Sequence, residues 1–501
     1  MRRRALLAAL TASASATAGC SLPDDSDRSR EPFAVSDTTA EPTSEMTFEP
    51  PADGVSRGFA VPGYDDHRVA VTTPTAIPDD VAVTLGFTAG PTTEAPAGVY
   101  VRVQALPSAD APVELPVGST PPLSAYRGVH ETEDGGSRPM FLVPRRAGVE
   151  FDALVRRDQA CWRPKLPVGP EDATTGTRTL SPGDAVEREY YLVTPWASDR
   201  CLQPGTYLFE ADAGWRFSVC SFDREPPYDS AYADADVASL PGFEGTRWYH
   251  DADADTDLFL RPRSEQVGLP STTARFTFRN QSYRRVRVDE SVWALYKLVD
   301  DRWHPIAPLA GSANDGGERA VYPGTTSTLA LSLHTDPDAP DDDDRRAVGG
   351  LGQGQYALAY PATLSPAGPS NYGNRPTAAL FTVVGNPPRV DATGAVDHTT
   401  DRDGVRHLHT TADESAVATL HLERVQRDDA PDAAPLVTEQ VLQRDALRNA
   451  IVELRAATTG VDAVVYHTEP DDIARTVAWI DPDGSGLTFT YDGDAYAMTY
   501  G

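Results

Sequence analysis

The chain has 501 residues, 40% of them hydrophobic, enough for cores in a few domains of roughly 100–200 residues each. Its 74 acidic residues against 44 basic ones leave a net charge of −30. This excess is spread along the chain, which argues against a nucleic-acid partner and against a peripheral hold on anionic lipid, so membrane attachment needs a covalent lipid.

The first stretch, residues 1–20, reads as a signal peptide. Met1-Arg2-Arg3-Arg4 gives a basic start, Ala5 to Ala18 a short apolar middle, and Thr17-Ala18-Gly19 the small residues before a cut. The apolar run is too short for a permanent membrane span. Cys20, directly after Ala18-Gly19, resembles the cysteine of a lipoprotein lipobox, which is acylated and becomes the mature N-terminus. The paired arginines followed by Ala5-Leu6-Leu7 resemble a twin-arginine signal, read by the exporter of already folded proteins. The resemblance implies a protein held by lipid on Cys20 at the extracellular face of the cell membrane. Residues 21–60, rich in Ser, Thr, Pro, Asp and Glu, form a polar tether that cannot bury a core. The only lysines are Lys165 and Lys297; an acidic chain with few lysines and much Ala, Thr and Asp resembles the proteins of salt-loving archaea.

Residues 61–225 read as strands. Val81–Phe87, Val99–Val103 and Val149–Val155 place larger apolar residues at every second position, the pattern of a half-buried strand. A turn at Ser181-Pro182-Gly183-Asp184 leads into Glu189–Val193, followed by Gly205-Thr206-Tyr207 and a closing strand, Trp215–Cys220. Residues 245–386 repeat this plan. Strands are expected at Ala274–Asn280, Val292–Leu298 and Leu329–Leu333, with a turn at Tyr322-Pro323-Gly324-Thr325, then Gly354-Gln355-Tyr356 and Ala379–Val384. The order of Asn280, Trp293, Lys297, Trp303, the Pro-Gly turn, Gly-x-Tyr and a last strand resembles the immunoglobulin-like (Ig-like) domains of bacterial surface proteins. It is also similar to the β-sandwich of bacterial intracellular proteinase inhibitors. The resemblance implies that Tyr356, and by analogy Tyr207, seats its ring under a sandwich and bonds a loop carbonyl.

Residues 389–501 change character. Val405–His409 and Ala416–Leu422 look like a hairpin. Asp445 is placed to cap a helix carrying Leu447, Ala450, Ile451 and Leu454 on one face. Ala463–His467 reads as a buried strand, Pro470–Val477 as a short helix, and Ala478 to Tyr500 as two tight hairpins. The expected fold class is therefore mainly β: two Ig-like β-sandwiches plus a small C-terminal α+β domain.

Four cysteines are present. Beyond Cys20, an oxidising exterior favours a disulfide among Cys161, Cys201 and Cys220. Cys161–Cys201 is preferred, Cys201–Cys220 stays open, and one thiol is left over. Asn280-Gln281-Ser282 is a sequon for N-glycosylation at Asn280. Three patterns have metal-ligand spacing: Asp481 to Asp492 as a calcium loop, Asp251, Asp253, Asp255 and Asp257 on one face of an extended segment, and His407, His409 and His421 on paired strands. Each has a plainer reading as a turn, a solvated linker or structural histidines, so no metal, cofactor or catalytic residue is expected. Trp162, Trp196, Trp215, Trp293 and Trp303 read as core rather than as a sugar platform. No Gly-x-Ser-x-Gly, His-Glu-x-x-His or P-loop pattern occurs.

The expected role is non-enzymatic: binding, adhesion or surface assembly, with a surface protein or a glycan as partner. Protease inhibition, or an enzymatic site within 389–501, are the alternatives. A charge of −30 also makes an expectation about salt. At molar salt the Debye length is about 3 Å and self-repulsion is screened; at tens of millimolar it is not. The thermal midpoint should fall steeply between these conditions, and an equal or higher midpoint at low salt would contradict the reading.

Overall fold

The computed structural model describes residues 55–116, 127–132, 135–145, 150–158, 161–165, 177–194, 201–210, 216–243, 245–307, 318–338, 346–364, 376–411, 417–431, 433–457, 461–480 and 488–501. These belong to one compact unit, and the fold is mainly β with several sheets. Cys20 and nearly all of the expected tether lie outside the described residues, as do Trp196, Trp215 and residues 481–487.

Alternating apolar residues build a nine-stranded antiparallel sheet from the N-terminal module. In spatial order its strands are Gly58–Ala60, His67–Val71, Arg216–Asp223, Gly205–Glu210, Arg127–Glu131, Ser137–Pro144, Ala185–Val193, Ala97–Ala105 and Val81–Ala89. The two ends of this path meet. Ser56 donates its N–H to the Phe87 carbonyl at 2.9 Å and accepts from the Phe87 N–H at 2.7 Å. The sheet therefore runs continuously around its core of Val69, Val99, Val101, Leu142, Phe209 and Val219, instead of splitting into the two separate layers expected for 61–225. Closure removes the exposed edges that an open sheet leaves available for pairing. The expected strand at 149–155 is also corrected: Phe151–Leu154 is a single helical turn, and the strand begins at Val155.

Three sheets of the second module share one core; the third, of Glu318–Val321, Val286–Asp289 and Ala362–Leu364, adds Val286, Val288 and Val321 to it, and the other two face each other. One carries Ser271–Asn280 between Leu258–Pro262 and Thr326–His334; the other carries Gly354–Tyr360 between Ala294–Val299 and Thr377–Val384. Phe276 and Phe278 from the first meet Phe381 and Tyr360 from the second, edge to face, at centroid distances of 5.3 and 5.8 Å. Every long strand expected here is present, displaced by a few residues at its ends.

The C-terminal module is a seven-stranded sheet with helices Thr438–Leu442, Asp445–Ala456 and Pro470–Ile480. Leu447, Ala450, Ile451 and Leu454 pack with Leu408, Leu420, Leu422 and Val464 in its core. Three expectations change. Strands Val405–Thr410 and Ala418–Val425 are not a hairpin, because Ala463–Thr468 inserts between them, parallel to the first and antiparallel to the second. Asp445 is the first helical residue, with Arg444 in the cap position. Ala478–Ile480 extends the last helix instead of opening a hairpin.

Both Gly-x-Tyr segments do the same structural work. Tyr207 and Tyr356 are buried, and each hydroxyl donates to the carbonyl four residues upstream: Tyr207 to Gln203 at 2.8 Å, Tyr356 to Gly352 at 2.9 Å. The strands they open pair antiparallel with Arg216–Asp223 and Thr377–Val384. Gly205 and Gly354 take φ of +157° and +149°, and a Cβ there would strike the His130 ring or the Lys297 Cε. Tyr356 has one further neighbour. Its hydroxyl lies 3.3 Å from Oε1 of Glu439, a fully buried carboxylate in the helix Thr438–Leu442 of the C-terminal module. The same oxygen accepts from Lys297 and from the Gly352 N–H.

This difference is measurable. Tyr207→Phe should cost about 0.5–1.5 kcal/mol, one ordinary hydrogen bond, whereas Tyr356→Phe also takes a partner from a buried carboxylate and should cost about 1.5–3 kcal/mol. Denaturant midpoints of the two variants decide it; equal losses would contradict the role given to Glu439.

Candidate functional site

The sequence-derived sites separate cleanly. Cys161 and Cys201 form a disulfide with a Cα–Cα distance of 5.2 Å, and Cys220 is the free, buried cysteine. Burial pushes the Cys220 thiol up to about 12, which leaves it inert at neutral pH. Asn280, the residue of the sequon, lies inside the second module. Its side chain is fully buried, and its Nδ2 donates to the Arg284 and Val321 carbonyls at 2.8 and 2.9 Å. The Asp251 to Asp257 ladder is not extended. Tyr249–Asp251 forms a 3-10 turn, Asp253 Oδ1 accepts from the Asp255 N–H and the Thr256 hydroxyl, and Asp257 faces Arg224. Of the calcium-loop pattern only Asp492 is described; it sits in a turn with its carboxylate on Arg455 at 2.9 Å. Trp293 and Trp303 are buried, and Trp162 donates its indole N–H to the Thr92 carbonyl.

The histidines gather in a different set from the one expected. Val465 stands between His407 and His421 in the sheet, so His421 is displaced by one strand. His398 and His467 take its place. His398, His409 and His467 stack with centroids 4.5 Å apart at each step, and His407 Nδ1 meets His467 Nε2 at 3.1 Å. Asp397 holds the His398 Nδ1 at 3.1 Å. Stacked rings do not aim their nitrogens at one point. Among the described residues no group of three or more His, Cys, Asp or Glu is arranged to hold a metal ion.

A second constellation gave no sequence signal, because its members are far apart in the chain. His67 Nδ1 lies 2.6 Å from Asp223 Oδ1, and its Nε2 lies 2.9 Å from the Ser221 hydroxyl. Those residue types and distances match a nucleophile, a base and an orienting acid. The surroundings are inverted, however. His67 and Ser221 are buried while Asp223 is half-exposed, so the would-be nucleophile faces the core. The Ser221 hydroxyl donates to the Leu202 carbonyl, and His67 Nε2 meets the same carbonyl at 2.8 Å. A base facing a carbonyl acceptor is acting as a donor. The network therefore pins the loop at Leu202, next to the disulfide and at an unfavourable φ of +48°.

The third constellation is open. A cleft of about 500 Å³ on the second module is lined by Arg261, Arg263 and Arg275, together with Tyr228, Thr277 and Thr328. Strand pairing aligns them: Arg261 opposite Thr277, and Thr277 opposite Thr328. Arg263 donates its backbone N–H to the Arg275 carbonyl at 2.8 Å, which sets those two side by side. The strand pattern at Ala274–Asn280 gave no hint that three arginines converge.

No protein-family model and no curated protein matches the sequence. Among solved structures, one titled polysaccharide lyase aligns with 86% of this chain and 51% of its own length, at 9% identity and a TM-score of 0.13. The chain thus spans about half the length of that protein, and a TM-score so low carries no argument about fold or function.

The stacked histidines set a pH dependence. His409 and His467 both titrate below the ordinary value of 6.5, through burial first and then through their neighbouring imidazoles. A depressed value in the folded state means that the unfolded chain takes the proton more readily. Stability from these rings is present above about pH 6.5 and is lost as pH falls toward the folded values. His467→Asn should flatten the fall of the thermal midpoint between about pH 7 and pH 5.5 relative to the parent chain; an unchanged slope would show that the array does not titrate as described.

Proposed function

We propose that the protein is a lipid-anchored, extracellular binding module of a salt-adapted cell, exported with its fold complete and held off the membrane by its polar tether. In this reading the second module is an Ig-like sandwich, the first is a closed relative of it, and the C-terminal sheet is a small α+β domain docked on the second. The observation that carries the non-enzymatic reading is the fate of the interior polar groups. Among the described residues, the two constellations that resemble catalytic machinery are closed on the chain itself. Ser221 and His67 hold the Leu202 carbonyl, and Lys297 and Tyr356 hold Glu439. Neither leaves a nucleophile facing solvent.

Export is supported by the Cys161–Cys201 disulfide, which fits an oxidising compartment. Among the described residues no helix is long and apolar enough to cross a membrane, which is compatible with attachment through Cys20. Among the described residues the exposed large apolar side chains, such as Tyr228, Val292 and Tyr500, are scattered singly and do not form the apolar inhibitory loop that protease inhibition would call for.

The test is fractionation. Cys20→Ser should move the protein from the membrane fraction into the medium. Unchanged partition of Cys20→Ser would refute the lipid anchor and the surface placement that depends on it.

A further inference from the structure

We infer that the arginine-lined cleft of the second module binds an acidic oligosaccharide, one whose sugar rings carry carboxylates. This deepens the reading of the chain as an exposed binding module and depends on it.

Charge is the first argument. In a chain with 74 acidic and 44 basic residues, an arginine should readily find a carboxylate. Arg279 does so, with its Nη1 2.6 Å from Glu225. The cleft departs from that pattern. Arg263 and Arg275 are exposed and make no side-chain hydrogen bond or ion pair among the described residues. Arg261 is half-buried. Its Nη1 is shielded from solvent without a hydrogen bond, and Glu225, already engaged by Arg279, stands 3.6 Å away. Two acids stand at the rim: Asp229, which is exposed, and Glu265, which is committed to the neighbouring loop, accepting from the Ser230 hydroxyl at 2.5 Å and the Ala231 N–H at 2.7 Å. Two exposed guanidinium forks without a carboxylate partner, beside a third that shares Glu225 with Arg279, make a basic patch in an acidic chain and offer charge-assisted bonds to an anion.

Shape and lining select the kind of anion. A cleft of about 500 Å³ lies within the range of small-molecule sites and is open along the sheet. Tyr228 is the most exposed large apolar side chain among the described residues, at 65%, and Arg261 stacks against its ring at 4.8 Å. An exposed aromatic ring backed by a cation offers a flat face to the C–H face of a sugar. Thr277 and Thr328 add hydroxyls that both donate and accept, matching sugar hydroxyls. A nucleic acid is a poorer fit, because its dense phosphates would run out of the cleft onto a surface of like charge.

The inference is tested by calorimetric titration of the intact chain, in salt that keeps it folded, with a galacturonate oligosaccharide, a neutral dextran oligosaccharide and a single-stranded oligonucleotide. Saturable uptake of galacturonate alone is expected. Arg263→Gln combined with Arg275→Gln should weaken it about tenfold or more, through loss of two charge-assisted forks. Tyr228→Ala should weaken it about three- to tenfold, through loss of the stacking face. All three positions are exposed or at the rim, so thermal midpoints should stay at the parent value and report intact folding. Silence toward galacturonate, equal uptake of dextran, tighter uptake of the oligonucleotide, or unchanged affinity in the double arginine variant would each overturn it. These outcomes are separate from fractionation of Cys20→Ser, so the ligand assignment and the surface placement fail independently.

Discussion

A single carboxylate oxygen governs how the two C-terminal modules meet. Glu439 is 1% exposed, and its Oε1 is shared by the Lys297 ammonium, the Gly352 N–H and the Tyr356 hydroxyl. A buried carboxylate left without partners costs several kcal/mol, so the carboxylate and its three donors must stay together or separate together. Each donor belongs to a different part of the second module: Lys297 to a middle strand, Gly352 to the turn, and Tyr356 to the strand after it. Nearby bonds repeat the pattern. Gln440 donates to the Pro305 carbonyl, Gln443 to the Gly349 carbonyl, and Arg448 pairs with Asp338. The short helix at Thr438–Leu442 thus acts as a key in the open end of the second module.

The legible part of the fold was the part governed by local pattern. Period-two alternation located the long strands of the second module, and Gly-x-Tyr located two buried tyrosines whose hydroxyls each reach back four residues. Where non-local pairing decides, the pattern was silent. Nothing in Ser56 or Phe87 announces that they close a nine-stranded ring. Val405–Thr410 and Ala418–Val425 look like hairpin partners because they are adjacent in sequence, yet a strand from some forty residues later separates them, as a parallel strand reached by a helical crossover can. Residues 478–480, read as the start of a hairpin, continue the helix Pro470–Ile480.

The site residues divide along the same line. The Cys161–Cys201 pair is one of few pairings open to three cysteines, and the structure joins it. The Asn280 sequon is a three-letter match blind to burial; the same amide that would carry a glycan is needed to bond two carbonyls inside the second module. His67 meets Ser221 and Asp223 from 154 and 156 residues away, and the three arginines come together only through the pairing register of neighbouring strands, so no motif displays either set. Their environments assign opposite roles. The first faces the core and holds a loop; the second opens to solvent, with Arg263 and Arg275 exposed and Arg261 stacked on Tyr228.

The central claim is that the second module and the C-terminal sheet open as one unit, fastened at Glu439. Native-state hydrogen exchange on the intact chain in molar salt tests this most directly. The account predicts that amides of Gly354–Tyr360 and of Asp445–Ala456 open with one common free energy, and that Glu439→Gln lowers both together. Independent opening of the C-terminal helix, at a free energy far below that of the Tyr356 strand and indifferent to Glu439→Gln, would contradict it.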